Sequence, residues 1–542
     1  MWHLVWPVSL WLASVGNLPL WQRVHALAGE GGTPWSMWLA LGLPVTGAIA
    51  ALLSLLAWPR VLRPVASMLV VAAALASHFM SQYGVVIDPT MLSNALHTDT
   101  REVRDLLSWR VLPALAFVAG PPLWWIWHRP LRPHRPWARL GRNALGVSAG
   151  IALLLGAGLL GYAQLASMAR NHKPLRYMIN PLNVVYAATR VASDQLPQQA
   201  QALQPAGEDA RLGPSYRGQA RAPLLVLVIG ETARAQNWGL NGYARPTTPA
   251  LARWQQNAGL INYPQVTSCG TNTQVSVPCL FSPLTRADGG DRTPTQENLL
   301  DILQRAGLAV LWLDNQAGCK GVCDRVPHGR PEDHALHAAM CDGGECHDEA
   351  LLAGLDERLA ALDPARRARG VVIVMHQMGS HGPAYFKRTP ATHKPFAPEC
   401  TDITLSACDP QALMNAYDNT IAYTDHVLDR LLHWARATSD AGLHDAGLIY
   451  VSDHGESLGE SGLYLHGLPY ALAPSQQTQV PMVSWLSPGL RARHGVGQAC
   501  LQQRASRPLS HDHLFHTVLG LMEVQTHLYR PELDAMAPCS AG

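Results

Sequence analysis

Long apolar stretches at about residues 2–21, 35–58, 61–83, 111–127 and 144–166 dominate the N-terminal part of the chain. Each approaches the roughly 20 residues of helix that cross a bilayer core, so together they predict a five-helix transmembrane domain over residues 1–168. Beyond residue 222 the pattern changes. Short apolar runs ("PLLVLVIGE", "LAVLWLDN", "GVVIVMHQ", "GLIYVSDHG", "VPMVSWL") alternate with helical patterns such as "NLLDILQRAG" and "NAYDNTIAYTDHVLDRLLHWA". That alternation predicts an α/β domain over 222–542 with a mostly parallel sheet flanked by helices. The polar, Gln-rich stretch 169–221 reads as a bridging linker. Residues 84–110, with mixed charge and scattered apolar positions, read as an interfacial helix.

Composition supports this division. The charged fraction is 15% and the mean hydropathy +0.01, against about 25% charged residues in a typical soluble domain. Tryptophans such as Trp21, Trp35, Trp58 and Trp127 stand near the ends of the apolar stretches, where amphipathic rings suit the membrane interface. Arg129, Arg132, Arg135, Arg139 and Arg142 in one connection, and Arg60 and Arg63 in another, place those two loops in the cytoplasm. Everything after the fifth span then faces outward. Ala26 and Ala28 form an A-x-A pattern, but no basic residue precedes Arg23 and further spans follow, so the first stretch reads as an uncleaved anchor.

All ten cysteines lie in the part placed outside. An even count confined to an exported domain predicts disulfides, and sequence neighbours pair Cys269 with Cys279, Cys319 with Cys323, Cys341 with Cys346, and Cys400 with Cys408. Cys500 and Cys539 are left for each other. Zinc-ribbon use of the close pairs is the rival reading.

In open sheets of this kind ligands bind beyond the carboxyl ends of the strands. Glu231 ends the first apolar run, Asn315 the second, His376 the third, and the pair Asp453-His454 the fourth. Each alone is an ordinary loop residue, but together they place carboxylates, an amide and imidazoles on one sheet edge. That mixture suits a divalent metal held by Glu231, Asp453 and His454, zinc best, with Mn2+ or Mg2+ as weaker candidates. The loop "SCGTNTQVSVPC" offers Thr271 and Thr273 between two cysteines. A metal and a helix N-terminus would activate a threonine hydroxyl as nucleophile and fourth ligand; spacing alone does not choose between the two.

The motifs "VIGETAR", "SCGTNTQVSVPCLFS", "DNQAGCKGVCDRVP", "HQMGSHGP" and "SDHGESLGESGLYLHG" resemble those of the phosphoethanolamine transferases of Gram-negative inner membranes. These are lipid A modifying enzymes of the polymyxin-resistance type, in the alkaline phosphatase and sulfatase superfamily. The resemblance covers essentially the whole chain, five spans included. It implies that Thr273 is the nucleophile and a metal ligand, and that Glu231, Asp453 and His454 are zinc ligands. It further implies that Asn315, Lys320, His381 and His466 bind the phosphoryl donor or assist proton transfer, and it leaves His376 open between a site role and a structural hydrogen bond. Lysine is rare here, at Lys173, Lys320, Lys387 and Lys394 only; a compact ammonium between Cys319 and Cys323 suits a phosphate oxygen, while a solvated surface position suits it equally.

The implied reaction moves phosphoethanolamine from phosphatidylethanolamine to a phosphate of lipid A, in the periplasm, by a monomeric membrane enzyme with no nucleic-acid partner. A phosphoglycerol transferase, or transfer to another envelope glycan, shares the threonine and metal logic. A sulfatase is disfavoured by its C/S-x-P-x-R frame, since "SVPCL" puts Leu280 in the arginine's place and "SPLTR" puts Pro283 one place too early. A sensor or scaffold that kept the fold without the chemistry would be expected to lose members of the metal set, and none is missing.

Overall fold

The computed structural model describes residues 1–27, 35–96, 109–131, 135–162, 173–195, 203–291, 294–333, 340–342 and 345–539. They form two compact units, the first from the described residues up to 195 and the second from those beyond 202.

The first unit is helical. Among the described residues four helices are long and apolar enough to cross a membrane: Trp2–Ala26, Trp35–Leu55, Leu62–Tyr83 and Pro136–Leu160. The expected span at 111–127 instead forms two short helices, Val111–Val118 and Gly120–His128. The reason is local: Pro121 and Pro122 lack the N–H groups that would carry the ladder through. The last long helix starts at Pro136, earlier than the apolar pattern, because proline is pre-organised for a first turn. Helices Trp35–Leu55 and Pro136–Leu160 cross at Gly47 and Gly150. A Cβ on Gly47 would lie 2.6 Å from the Gly150 carbonyl oxygen, and one on Gly150 2.7 Å from that of Gly47, the close approach that small residues allow between membrane helices. Of the expected interfacial helix, Pro89–Leu96 is helical, and 97–108 lie outside the described residues. The described part of the expected linker carries regular elements. Its Leu182–Gln195 forms a helix in the first unit, because Val184, Val185, Ala187, Ala188 and Val191 give that stretch an apolar helical face. Arg211–Leu212 pairs antiparallel with Val524–Gln525 in the second unit.

The second unit is built on eight strands, β1 (Ala222–Gly230), β2 (Ile261–Thr267), β3 (Ala309–Asp314), β4 (His328–Gly329), β5 (Val371–His376), β6 (His444–Ser452), β7 (Gln479–Leu486) and β8 (Leu509–Ser510). Their order is β8-β2-β7-β6-β1-β5-β3-β4. Strand β1 is central, and its alternate residues serve two cores. Leu225, Leu227 and Ile229 pack with Leu300, Leu303, Phe515 and Val518. Leu224, Val226 and Val228 pack with Tyr417, Leu428 and Leu432. A run buried on both faces is why β1 reads as continuously apolar rather than alternating.

All pairings are parallel except those of β7, which is antiparallel to both β2 and β6. The sheet is therefore mixed. The connection from β6 holds only short elements that stay at the site end, where Gly455 N–H donates to the Gln477 carbonyl; without a long crossover helix the chain returns antiparallel. Two helices matter for the site: α1 (Thr273–Leu280) and α2 (Pro410–Asp440).

Candidate active site

Register brings the strand ends together. Ile229 pairs with His376, Gly230 with Ser452, and Asp314 with His376, so Glu231, Asn315, His376, Asp453 and His454 emerge along one edge. Opposite them α1 begins at Thr273. Its N-cap Asn272 accepts the Val275 N–H through its side chain at 3.1 Å, and Gly270 leaves no room for a Cβ beside Val275 and Ser276. A hydroxyl at the first helical position sits at the positive end of the helix dipole.

The two threonines part company here. Thr271 Oγ1 donates to the Leu468 carbonyl at 2.6 Å, a structural tie. Thr273 Oγ1 lies 3.0 Å from Glu231 Oε2 and 3.4 Å from His454 Nε2. His454 Nε2 in turn lies 3.2 Å from Glu231 Oε1 and 3.3 Å from Asp453 Oδ2. Ligand atoms around a tetrahedral ion with bonds of about 2.0 Å stand about 3.3 Å apart. Glu231, Asp453 and His454 are all buried, and each offers a donor atom within 4.8 Å of the others. Asp453 Oδ1 accepts the Thr232 and His454 amides at 3.1 and 2.7 Å, whereas the buried Oδ2 has no hydrogen-bond partner. An orphaned carboxylate oxygen facing a second carboxylate and an imidazole fits a cation.

Electrostatics agree. Burial would raise the Glu231 carboxyl, but His454, with His381 and His376 behind it, holds it well below the usual range. Burial and then the Glu231 charge push Asp453 up to about 7. For His454 burial works downward and is overcome by Asp453 and Glu231, which carry it up to about 10. The pocket concentrates negative charge and retains positive charge to offset it.

The remaining predicted residues divide. The His466 ring is centred 4.3 Å from that of His454 and 5.6 Å from that of His381, so both are gathered at the site. Burial, with the nearby His454 charge, pushes His466 down to about 3. His376 Nδ1 lies 3.4 Å from Asp314 Oδ2 and its Nε2 3.8 Å from Glu231 Oε2, a bridge between two carboxylates. Asn315 donates to Asp348 Oδ1 at 2.8 Å and to the Cys346 carbonyl at 2.9 Å. Lys320 takes a positive φ of 52° and donates to the Ala317 carbonyl at 3.1 Å. It borders a cavity of about 380 Å³ with Pro278, Asn298 and Arg325, whose lining includes none of the metal set. The ten cysteines form Cys269–Cys279, Cys319–Cys323, Cys341–Cys346, Cys400–Cys408 and Cys500–Cys539, which leaves Cys319 and Cys323 no thiolate for a metal.

Three groups escaped the sequence reading. Buried Glu456 accepts the Tyr385 hydroxyl at 2.9 Å and stands 3.1 Å from His466 Nδ1; its place three residues after Asp453 was its only signal. Asp348 accepts the Met378 and Gly379 amides at 2.7 and 2.8 Å as well as Asn315. It thereby ties Asn315 to the turn that carries His381 and packs on Glu231, where a Cβ on Gly379 would meet the Glu231 carbonyl at 2.5 Å. Asp348→Ala is expected to lower turnover about 10–100-fold and to cost about 1–3 kcal/mol for donors left unpaired. Steady-state rates and thermal melts check this, and unchanged turnover would remove Asp348 from the site's support.

His511 is the third. Its Nδ1 accepts the Cys269 N–H at 3.1 Å and its Nε2 donates to the Ser452 carbonyl at 2.9 Å, pinning the loop that leads to Thr273 to the end of the strand that precedes Asp453. The bond accepted at Nδ1 needs the neutral ring, and burial, aided by the His454 charge, pushes its pKa down to about 3. An unfolded histidine titrates near 6.5. Between those values the unfolded chain holds a proton that the folded one lacks, so stability rises with pH through this window and the contribution is complete above it. Acidifying from pH 7.5 to 5 is expected to cost about 2 kcal/mol through His511. His511→Gln should lower the melting temperature at pH 7.5 and flatten its fall toward pH 5; an equally steep fall in the variant would assign the acid sensitivity elsewhere.

Both units resemble known proteins. Residues 223–524 match the sulfatase family model, and residues 45–196 match the model "Phosphoethanolamine transferase EptA/EptB". The chain is 41% identical over 488 residues to the phosphoethanolamine transferase EptA of Escherichia coli strain K12, covering 88% of this chain and 85% of the relative. It is 36% identical over 546 residues to the phosphatidylethanolamine transferase Mcr-1 of Escherichia coli, covering 96% and 94%. Its structure matches the integral membrane lipooligosaccharide phosphoethanolamine transferase A of Neisseria meningitidis with a TM-score of 0.91 at 33% identity, covering 99% of both chains. With a sulfatase-like α/β unit, apolar N-terminal helices and these full-length relatives, the chain belongs to the EptA and Mcr family of phosphoethanolamine transferases.

Proposed function

We propose that this chain transfers phosphoethanolamine from phosphatidylethanolamine to a phosphate of lipid A through a covalent intermediate on Thr273, with zinc held by Glu231, Thr273, Asp453 and His454. The observation that carries this reading is the position of the Thr273 hydroxyl, 3.0 Å from Glu231 and 3.4 Å from His454 at the start of a helix. Zinc bound there would lower the pKa of the threonine hydroxyl and neutralise charge on the transferring group.

In the first step a bond forms between Thr273 Oγ1 and the donor phosphorus as the bond from phosphorus to the diacylglycerol oxygen breaks. The threonine proton passes to an imidazole, His381 or His466, and from there to the leaving oxygen. In the second step an oxygen of the acceptor phosphate attacks phosphorus, the bond to Thr273 breaks, and the acceptor's proton returns through imidazole to the threonine. Glu456 orients His466, and Asp348 orients Asn315 toward the donor. Lys320 is assigned to donor binding on the resemblance of its motif.

The same reading assigns 1–168 to a membrane domain of five spans in a Gram-negative inner membrane, 169–221 to a bridging segment, and 222–542 to the periplasmic catalytic domain. Membrane helices suit an enzyme whose donor and acceptor are both lipids. Adding an amine to lipid A would lower the negative surface charge that draws cationic peptides such as polymyxins.

Mass spectrometry of lipid A from a polymyxin-sensitive host expressing the chain tests this. A phosphoethanolamine increment with the wild type and none with Thr273→Ala is expected. No increment from a folded, zinc-loaded wild type would overturn lipid A as acceptor and direct the search to other envelope glycans.

A further inference from the structure

A second set of metal-binding side chains, sharing no residue with the first, lies on the flank of α2. Tyr423 and His426 stand on that helix, His347 and Glu349 come from the segment around Asp348–Leu352, and His393 ends the short helix Ala391–His393. The His393 and His426 rings are centred 4.2 Å apart. Those of His347 and His393 lie 5.9 and 5.6 Å from Tyr423, so three imidazoles gather round one phenol.

Two details point beyond ring packing. His426 Nε2 is buried without a hydrogen-bond partner, and it lies 3.7 Å from Glu349 Oε1. That gap is too long for a hydrogen bond but near the distance of about 3.3 Å between two ligands of a tetrahedral ion. Thr392 Oγ1 lies 2.9 Å from His393 Nδ1, which occupies one ring nitrogen and leaves Nε2 as the donor, the arrangement by which an outer hydroxyl orients a metal-bound histidine. Burial, reinforced by His426, lowers the His393 pKa and keeps the ring in the neutral form that binds metals.

We propose that His347, His393, His426 and Glu349 form a second site for a zinc-class divalent cation. Three imidazole nitrogens and one carboxylate oxygen are a zinc donor set rather than a magnesium or calcium one. Glu349 now pairs with Arg430, whose side chain is 55% exposed; such pairs contribute about 0–1 kcal/mol, so the guanidinium swings into solvent at little cost. The four donors are not gathered within 4.8 Å as the catalytic set is, and the ion draws the rings inward, which makes this the weaker of the two sites. Asp348, between His347 and Glu349, holds Asn315, so an ion here braces the segment that supports the active site.

Full-length protein in detergent, equilibrated with zinc at rising concentration and assayed for bound metal, tests this. The wild type is expected to take up one zinc more per chain than His393→Ala/His426→Ala, while the double variant keeps its transferase activity and with it the catalytic ion. Equal zinc content in the two would overturn the site, as would a wild type that saturates with the catalytic ion alone. If the double variant loses its fold, His426→Gln serves instead: the second binding step should weaken by roughly tenfold or more, and an unchanged step would be equally decisive against it.

Discussion

Thr273→Ala is expected to lower phosphoethanolamine transfer by at least about 10⁴-fold, the scale on which nucleophile deletions fall in hydrolytic enzymes whose residues act as a unit. The hydroxyl that disappears is the one placed 3.0 Å from Glu231 at the first position of α1. Little else should change. Thr273 is a buried side chain on a short helix clipped by Cys269–Cys279, and the variant keeps Asn272 as its cap, so the melting temperature should move by only a few degrees. Thr273→Ser restores the hydroxyl without the methyl that limits its rotamers, and should recover most of the lost rate. Thr271→Ala separates the two roles: it breaks a hydrogen bond to Leu468, costs about 1 kcal/mol, and should leave measurable turnover. A phosphoethanolamine adduct trapped on the Thr273 peptide would identify the covalent step. An alanine variant with more than about one per cent of wild-type activity would sink the nucleophile assignment.

Much of this site is written in the chain because strands buried on both faces announce themselves as apolar runs, and the polar residues that follow each run within a position or two are fixed at the sheet edge. Glu231, Asn315 and Asp453 are legible for that reason. The direction of β7 is not, since the same apolar run serves either orientation and only the short connection from β6 decides it. The fourth apolar stretch is similar: composition gives 111–127 as one span, and two adjacent prolines divide it. Asp348 and His511 are invisible for a different reason, and Glu456 shows only its place three residues after Asp453. Their roles come from burial and from partners distant in sequence, such as Cys269 for His511, and nothing in their neighbours marks a polar residue that will be enclosed. The choice between Thr271 and Thr273 likewise turns on which hydroxyl the fold commits to a carbonyl.

Asp453→Asn is expected to separate what the metal does for catalysis from what it does for stability. If Glu231, Asp453 and His454, whose donor atoms lie within 4.8 Å of one another, hold zinc as proposed, the substitution removes a charged ligand, so zinc content at limiting zinc should drop and transfer should fall by at least about 10³-fold, more than the 10–100-fold that outer-shell changes cost. Stability should move in opposite directions with and without the ion. In metal-free protein the Asp453 carboxyl is pushed up to about 7 by burial and by Glu231, so this buried carboxylate opposes folding and a neutral amide of the same shape relieves the repulsion. Metal-free Asp453→Asn should therefore melt at or above the metal-free wild type. Zinc adds about 4 kcal/mol to a protein that binds it when the free ion stands at 1,000 times Kd, and that increment belongs chiefly to the wild type. Melting curves with chelator and with zinc should thus cross over between the two proteins. If Asp453→Asn were instead the less stable by the same margin in chelator as in zinc, the carboxylate would be a structural hydrogen-bond acceptor for Thr232 and His454, and the reading of this cluster as a metal centre would fail.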